Sequence, residues 1–561
     1  MKIIFTPLLV VIIYTTAFTN RTYSQVELVP PSHPVYNYLQ RMQSMKITPD
    51  YNPGNIPVSR ELVAGFLRLI EANSNRITSV DKKLLKDYKV EFEYDLDETK
   101  KKSSSLFKEI SNIFSDDRQK YLYTYTDLNA TLFFDALGNI SQRVSDGDSI
   151  GKHSILLGEA GFRVRGTLYN SVGFYLRASN GQKLSGDSND VTFARYTDPI
   201  LFAQNKFQFE RRNFDTFEGY LRYRTNQNWF ALTVGRNPVY QGFGFIDRLY
   251  LSNNTVPFDF IKLDLGYKAV NYSFLYGSLR GDSIGKPLES KNIATHRLDV
   301  KFGNSFRLGF FESLIIPNSS FSFTILNPIS FLTSPELSKT LQPDNNANNA
   351  IVGIDMMVIP ARKLALQGSL LVDDLEFSTL FKSNSKTTNK FAFQLGALWS
   401  DAFTLPNLEL KTEYTRLDPF VYTHVSNKSN YTNWSLPLGH HLEPNSDEIA
   451  VKLNYDITNR LNLNLLYQHQ RSANGIVDSL GIVIINYGGN INNATGYSYS
   501  NPEFLKGNRI DRDIITANLS WQFIRQFFIE LKYVQRFIKN IYQNNKKFND
   551  KYYFATLRVD Y

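Results

Sequence analysis

The chain has 561 residues, a formal net charge of +9, 14% aromatic residues and no cysteine. The missing cysteine excludes a disulfide scaffold, a thiolate metal centre and a cysteine nucleophile. The positive charge is modest and dispersed, which argues against a nucleic-acid-binding surface.

Residues 1–24 read as a signal peptide. Lys2 is followed by an apolar run over 3–13 broken only by Thr6 and Pro7, and Thr22 and Ser24 are small residues before Gln25. Beyond it no segment approaches ~18 consecutive apolar residues, so no helical membrane span is expected. An exported chain of this kind crosses a membrane only as a closed β-barrel.

Residues 25–120 carry helix signals and are expected to form a small periplasmic helical domain. Ser32 and Pro34 open a stretch in which Val35, Leu39, Met42 and Met45 recur at helical spacing. A second stretch starts near Ser59 and stacks Leu62, Val63, Phe66, Leu69 and Ile70; a third, 79–92, carries Leu84, Leu85 and Tyr88. The apolar stripes predict a self-contained bundle on which few barrel residues depend.

From Tyr121 onward the period becomes two. Phe162, Val164 and Leu168 lie opposite Arg163, Arg165 and Thr167, and Phe174 and Leu176 lie opposite Tyr175 and Arg177. The same plan recurs around the turns at 225–228 and 457–460. It recurs again over 515–534, where Leu519, Trp521 and Phe523 oppose Asn518, Ser520 and Gln522. Short turns alternate with long Asn/Gly/Ser-rich loops such as 180–190, 423–447 and 485–510. At roughly 24 residues per strand plus connection, residues 121–561 supply about 18 strands. The fold class is therefore mainly β: a transmembrane antiparallel β-barrel with a small N-terminal α-helical domain. The final strand puts Tyr553, Ala555, Leu557, Val559 and Tyr561 on one face and Thr556, Arg558 and Asp560 on the other. It must pair with the first strand to leave no edge. Its aromatic end resembles the signal read by the outer-membrane barrel-assembly machinery, an expected partner.

A zinc-protease pattern is missing: the seven histidines (His33, His153, His296, His424, His440, His441 and His469) form no H-E-x-x-H. "GHHLEP" (439–444) reads as a solvated loop, and Asp373, Asp374 and Glu376 form a single acidic cluster at a strand end. No enzyme activity, metal or cofactor is expected. Arg163, Arg165, Arg177, Arg222 and Arg224 share the polar side of their ribbons, with Glu210 and Glu218 in reach. They fit either an internally braced lumen or a grip on carboxylate, sulfate or phosphate.

The block "VGRNPVYQGFGFIDRLYLSNNTVPFDFIKL" (234–263) is followed by "HRLDVKFGNSFRLGFFESLII" (296–316), "LNPISF" (326–331) and "SLLVDDLEF" (369–377). This series resembles the Wzi family of outer-membrane capsule-assembly proteins, in the form common among Bacteroidetes-like sequences. Residues 27–72 resemble that family's helical N-terminal domain and, more loosely, an S-layer-homology module. The resemblance implies a monomeric, plugged barrel in outer-membrane lipid, with its helices in the periplasm. It implies a non-catalytic lectin that holds capsular polysaccharide at the cell surface. Gly235–Arg236 and 252–259 match the pattern; Tyr240-Gln241-Gly242 stands where Trp-Gly is common. The candidate polysaccharide-binding residues are Arg163, Arg165, Arg177, Arg222, Arg224, Arg236 and Tyr240. The competing readings are a transport porin anchored to peptidoglycan by its helical head and an outer-membrane lipid hydrolase.

Overall fold

In a computed structural model, the described residues are 25–96, 102–108, 114–200, 213–281, 290–317, 348–373, 390–424, 426–478, 483–493 and 503–561. The expected signal peptide, Glu210, Asp374, Glu376 and the 326–331 motif lie outside them.

The alternating segments form long antiparallel strands. They are β1 (Thr131–Gly147), β2 (His153–Leu168), β3 (Val172–Ser185), β4 (Asn213–Arg224), β5 (Phe230–Arg236) and β6 (Asp259–Tyr267). Next come β7 (Val270–Arg280), β8 (Ser290–Phe302), β9 (Phe306–Pro317), β10 (Asn349–Ala361), β11 (Leu364–Asp373) and β12 (Lys390–Ser400). The last six are β13 (Leu408–Leu417), β14 (Ser446–Asp456), β15 (Leu461–Asn474), β16 (Asn508–Ile524), β17 (Phe527–Asn540) and β18 (Lys546–Asp560). Each pairs with its neighbour, and β18 pairs with β1 from Asp550↔Gly147 to Asp560↔Leu137, so the eighteen strands close into a barrel. Closure satisfies the backbone of both end strands, which in hydrocarbon would otherwise cost several kcal/mol per group. The terminal Tyr561 joins the seam by accepting the Ala136 amide at 2.5 Å. Ahead of the wall, Tyr121–Thr126 pairs with the start of β1 and with Ser103–Lys108.

The outer face is apolar. Leu221, Val234, Leu395, Ile449, Trp521, Leu531 and Leu557 are among its exposed side chains. A continuous apolar wall of this kind meets lipid rather than water. Exposed Tyr169, Trp229, Tyr267, Phe302 and Phe403 gather at the ends joined by short turns, as an aromatic girdle does at a bilayer interface. Ser520, Gln522, Arg558 and Asp560 line the lumen, on the face opposite Trp521 and Leu557. Among the described residues no helix is long and apolar enough to cross a membrane.

The head forms α1 (Val35–Ser44), α2 (Arg60–Ala72), α3 (Ser79–Glu91) and the short α4 (Glu93–Leu96). Thr78 and Asp81 make a reciprocal capping box that starts α3. Pro34, rather than Ser32, occupies the cap position of α1. In α2 the buried face is Val63, Leu67 and Ile70, at spacings of four and three, so Leu62 and Leu69 are left exposed.

The head is not the independent bundle expected from its stripes. It is inserted into the short-turn end of the lumen. Glu27, fully buried, accepts from Arg165 Nη1 at 2.9 Å and from Thr167 Oγ1 at 2.6 Å. Leu28 N donates to the Tyr220 hydroxyl at 2.7 Å. Arg41 joins Asp81 to Asp401 in the β12–β13 turn, at 3.0 and 2.5 Å. Asn55–Ile56 pairs as a two-residue strand with Tyr240–Gln241. The reason is charge. The head's polar groups match inward-facing polar groups of the wall, a complementarity that apolar periodicity does not report.

Candidate functional site

The lumen is divided lengthwise. On the side of β6–β13, the connections 237–258 and 418–445 fold inward and pack a core around Leu249, Tyr250, Phe311, Tyr422 and Tyr431. The Tyr422 hydroxyl donates to Leu249 O at 2.5 Å, and the Tyr250 hydroxyl to Glu312 O at 2.7 Å. Arg297, with no exposed surface, bridges Asp299 and Asp355 at 2.6 and 2.9 Å beneath Phe243.

His440 is buried in this filling and His441 lies half-buried at its edge, which corrects the expectation of a fully solvated loop. Both belong to the connection that the concave wall draws inside. His441 Nδ1 lies 2.7 Å from Asp247 Oδ2, and its Nε2 lies 3.1 Å from Glu448 Oε2 on β14. Burial alone would depress the His441 pKa, but the Glu448 and Asp247 carboxylates at its two nitrogens hold it well above its ordinary value. Burial pushes His440 the other way, down to about 4. Burial would raise the Asp247 pKa, but His440, His441 and the Ser252 hydroxyl hold its carboxyl well below the usual range. Donor atoms of Asp247, His440 and His441 lie within 4.8 Å of one another. With both His441 nitrogens committed to carboxylates, the trio is arranged as a charged latch joining the 237–258 connection to the 418–445 connection and β14.

On the opposite side, β14–β18 and β1–β3 enclose a cavity of 630 Å³ above the head. Its lining mixes polar groups with apolar surface. Asn139, Asn454, Asn462, Asn464, Ser520 and Gln522 face Arg163, Arg177, Arg558, Glu159 and Glu530, with Tyr38 and Tyr175 as ring surfaces. Asn462 Nδ2 donates to Asn454 Oδ1 at 2.9 Å, and Asn464 donates to Asn462, forming a ladder of amides. At the long-loop end lies α5 (Ser188–Thr197), started by an Asp187–Asp190 capping box. Its Phe193 packs inside the barrel against Ile155, Leu157 and Tyr552.

The seven sequence-selected residues separate into three groups. Arg163 and Arg177 line the cavity; Arg163 Nε is 2.7 Å from Asp135, and Arg177 Nη1 is 3.8 Å from Glu218. Arg165, Arg222, Arg224 and Tyr240 serve the packing of the short-turn end. Arg165 is held by Glu27 and lies 4.3 Å over Phe133. Arg222 lies near Asp264 and donates to Thr233, Arg224 pairs with Glu61 and Ser59, and Tyr240 pairs with Ile56. Arg236 shares its face of β5 with exposed Val234 and pairs with Asp259, on the outside of the wall. The amide ladder and α5 were not selected from sequence. The signal for the ladder was present in the inward parity of Asn462 and Asn464.

A family model described as "Capsule assembly protein Wzi" matches residues 147–536. The chain belongs to the Wzi family. The match covers most of the wall and the inward connections 237–258 and 418–445. No curated protein matches the chain. Among solved structures, the fold is similar to Wzi of Escherichia coli, described as an outer membrane protein involved in group 1 capsule assembly and a carbohydrate-binding β-barrel. That match has a TM-score of 0.56 at 11% identity and covers 95% of this chain and 99% of that one. OprD of Pseudomonas aeruginosa matches with a TM-score of 0.41 at 9% identity, over 76% of this chain and 95% of that one. OccAB1 of Acinetobacter baumannii matches with a TM-score of 0.43 at 9% identity, over 76% and 96%. This Wzi-family chain is thus an outer-membrane β-barrel of a capsule-assembly family.

Proposed function

We propose that the protein binds surface polysaccharide without cleaving it and holds it at the outer face of the outer membrane, with its helical head on the periplasmic side. The observation that carries this reading is the divided lumen. One half is filled from both ends, and the other keeps a wet cavity lined by amides, guanidinium groups and tyrosine rings. Amides and charged groups bond sugar hydroxyls, and ring faces suit the C–H faces of pyranoses. A transport porin needs a continuous aqueous path, and the inserted head and the two inward connections stand across it. A deletion strain should synthesise polymer and shed it into the medium. Undiminished retention of polymer by that strain refutes the reading. In planar bilayers the purified protein should be nearly silent, and steady ion-permeable steps would favour the porin.

A further inference from the structure

Above the cavity, toward the long loops, the wall carries more cations than anions. Arg143 on β1, Arg512 on β16, and Lys532 and Arg536 on β17 share the lumen-facing parity of their strands. The register Arg143↔Phe554↔Lys532 sets Arg143 and Lys532 on either side of the Phe554 ring, 5.9 and 5.4 Å from its centroid. Two inward positions above Lys532, Arg536 lies between Tyr196 of α5 and Tyr552, 5.4 Å from each centroid. Among the described residues, two carboxylates face these four cations. Asp198, just past α5, is 3.3 Å from Arg143, and Asp550 accepts the Ser149 amide and hydroxyl instead of a cation. Nε of Arg143 and Nε of Arg536 are buried with no hydrogen-bond partner. Lys532 is exposed to the lumen and makes no ion pair among the described residues. Its register partner Asn518 pairs in turn with Asn464, so the amide ladder of the cavity reaches this level.

A confined excess of positive charge, with unsatisfied guanidinium nitrogens and ring faces beside it, is arranged for an anion carried on a flat, partly apolar body. The wall keeps lipid headgroups out of this space. We infer that Arg143, Lys532 and Arg536, with Phe554 and Tyr552, form a subsite for a carboxylate-bearing sugar of the polymer. The acid lies between Arg143 and Lys532, in competition with Asp198. The inference rests on the carbohydrate-binding reading above and adds to it a ligand charge and a place. It moves acid recognition from the arginines held by the head to a column under α5.

The test uses the full-length protein in detergent, with trigalacturonate and maltotriose as probes in titration calorimetry. Trigalacturonate should bind at least about tenfold more tightly than maltotriose. Its affinity should fall between about 0.1 M and about 1 M salt, as the Debye length shrinks from ~10 to ~3 Å. The Arg143→Gln/Lys532→Gln double variant should lose about tenfold or more in trigalacturonate affinity, while Lys532→Arg stays near wild type and heat-modifiable migration is unchanged. Equal affinity for the two trisaccharides, or unchanged binding by the folded double variant, overturns the subsite. So does inorganic phosphate competing as well as trigalacturonate, which would mean a general anion site. Each of these outcomes leaves polymer retention by cells as a separate measurement. A deletion strain that keeps its polymer defeats the wider reading whatever the calorimetry gives.

Discussion

Replacing Glu27 by alanine tests whether the head is part of the barrel interior. Glu27 has no exposed surface, and its carboxylate holds Arg165 Nη1 at 2.9 Å and Thr167 Oγ1 at 2.6 Å. Without it, the direct contacts left to Arg165 among the described residues are the Tyr121 hydroxyl at 3.1 Å and the faces of two rings, with Asp95 nearby but committed to Arg60, in a site where the guanidinium is almost fully covered. Breaking a buried pair by removing one partner costs about 3–5 kcal/mol, because the remaining charge stays desolvated. The wall has its own closed ladder, so the loss should appear as undocking of the head. Trypsin should cut within 25–96 of folded Glu27→Ala protein at urea concentrations that leave the wild type intact. Removing both charges, in Glu27→Ala/Arg165→Met, should restore much of the resistance, since nothing charged is then buried unpaired. A Glu27→Ala protein with wild-type cleavage, or a double variant worse than the sum of the singles, refutes the argument.

Leu519→Arg should cost roughly 2–4 kcal/mol if its depth is near the midplane, while Asn518→Arg, one residue away and lumen-facing, should be tolerated; equal folding yields of the two variants would contradict the assignment of faces. Gly173 lies against the head, where an added Cβ would meet Glu27 N at 2.8 Å and Val26 C at 3.0 Å, so Gly173→Val should reproduce the protease sensitivity of Glu27→Ala. The His441 latch should depend on pH. Its pKa is raised on folding, so its contribution is complete below the ordinary value of about 6.5 and is lost as pH rises through the raised value. Protease access to 237–258 should therefore increase in alkali, and His441→Gln should abolish that transition; access that stays flat in the wild type up to alkaline pH would show that the latch holds nothing.

The wall was legible because it obeys a local rule. Side chains alternate between lipid and lumen, so Trp521 and Gln522 declare their faces two residues at a time, and the strand number follows from chain length. The lumen's filling obeys no such rule. Residues 237–258 and 418–445 are rich in Gly, Asn and Pro and read as solvated turns; they are buried because the wall curves around them. Asp247 and His441 meet only after 194 positions of chain. The arginines show the same limit. Their inward direction could be read at Arg165 and Arg224, but not that a glutamate from the head, Glu27 or Glu61, was already waiting for each. Arg236 is a candidate only through the resemblance carried by Gly235–Arg236, and β5 places it on the outer face with Val234.

The seam between β1 and β18 joins the first and last strands of the wall, while Val26 and Glu27, made before either, lie inside the ring beside β2 and β3. A sealed cylinder offers no sideways entrance. The contents must be in place when the last strand arrives, or thread through a mouth afterwards. The wall therefore has a natural order of construction. An open, curling sheet can receive its earliest-made segment on an exposed inner surface, and the C-terminal strand then acts as the fastening that shuts both sheet and contents together. Delay at that fastening would leave a sheet with two raw edges and an ion-paired but unenclosed head. Such a species is open to proteases along its whole length, whereas the closed form offers them only its rims.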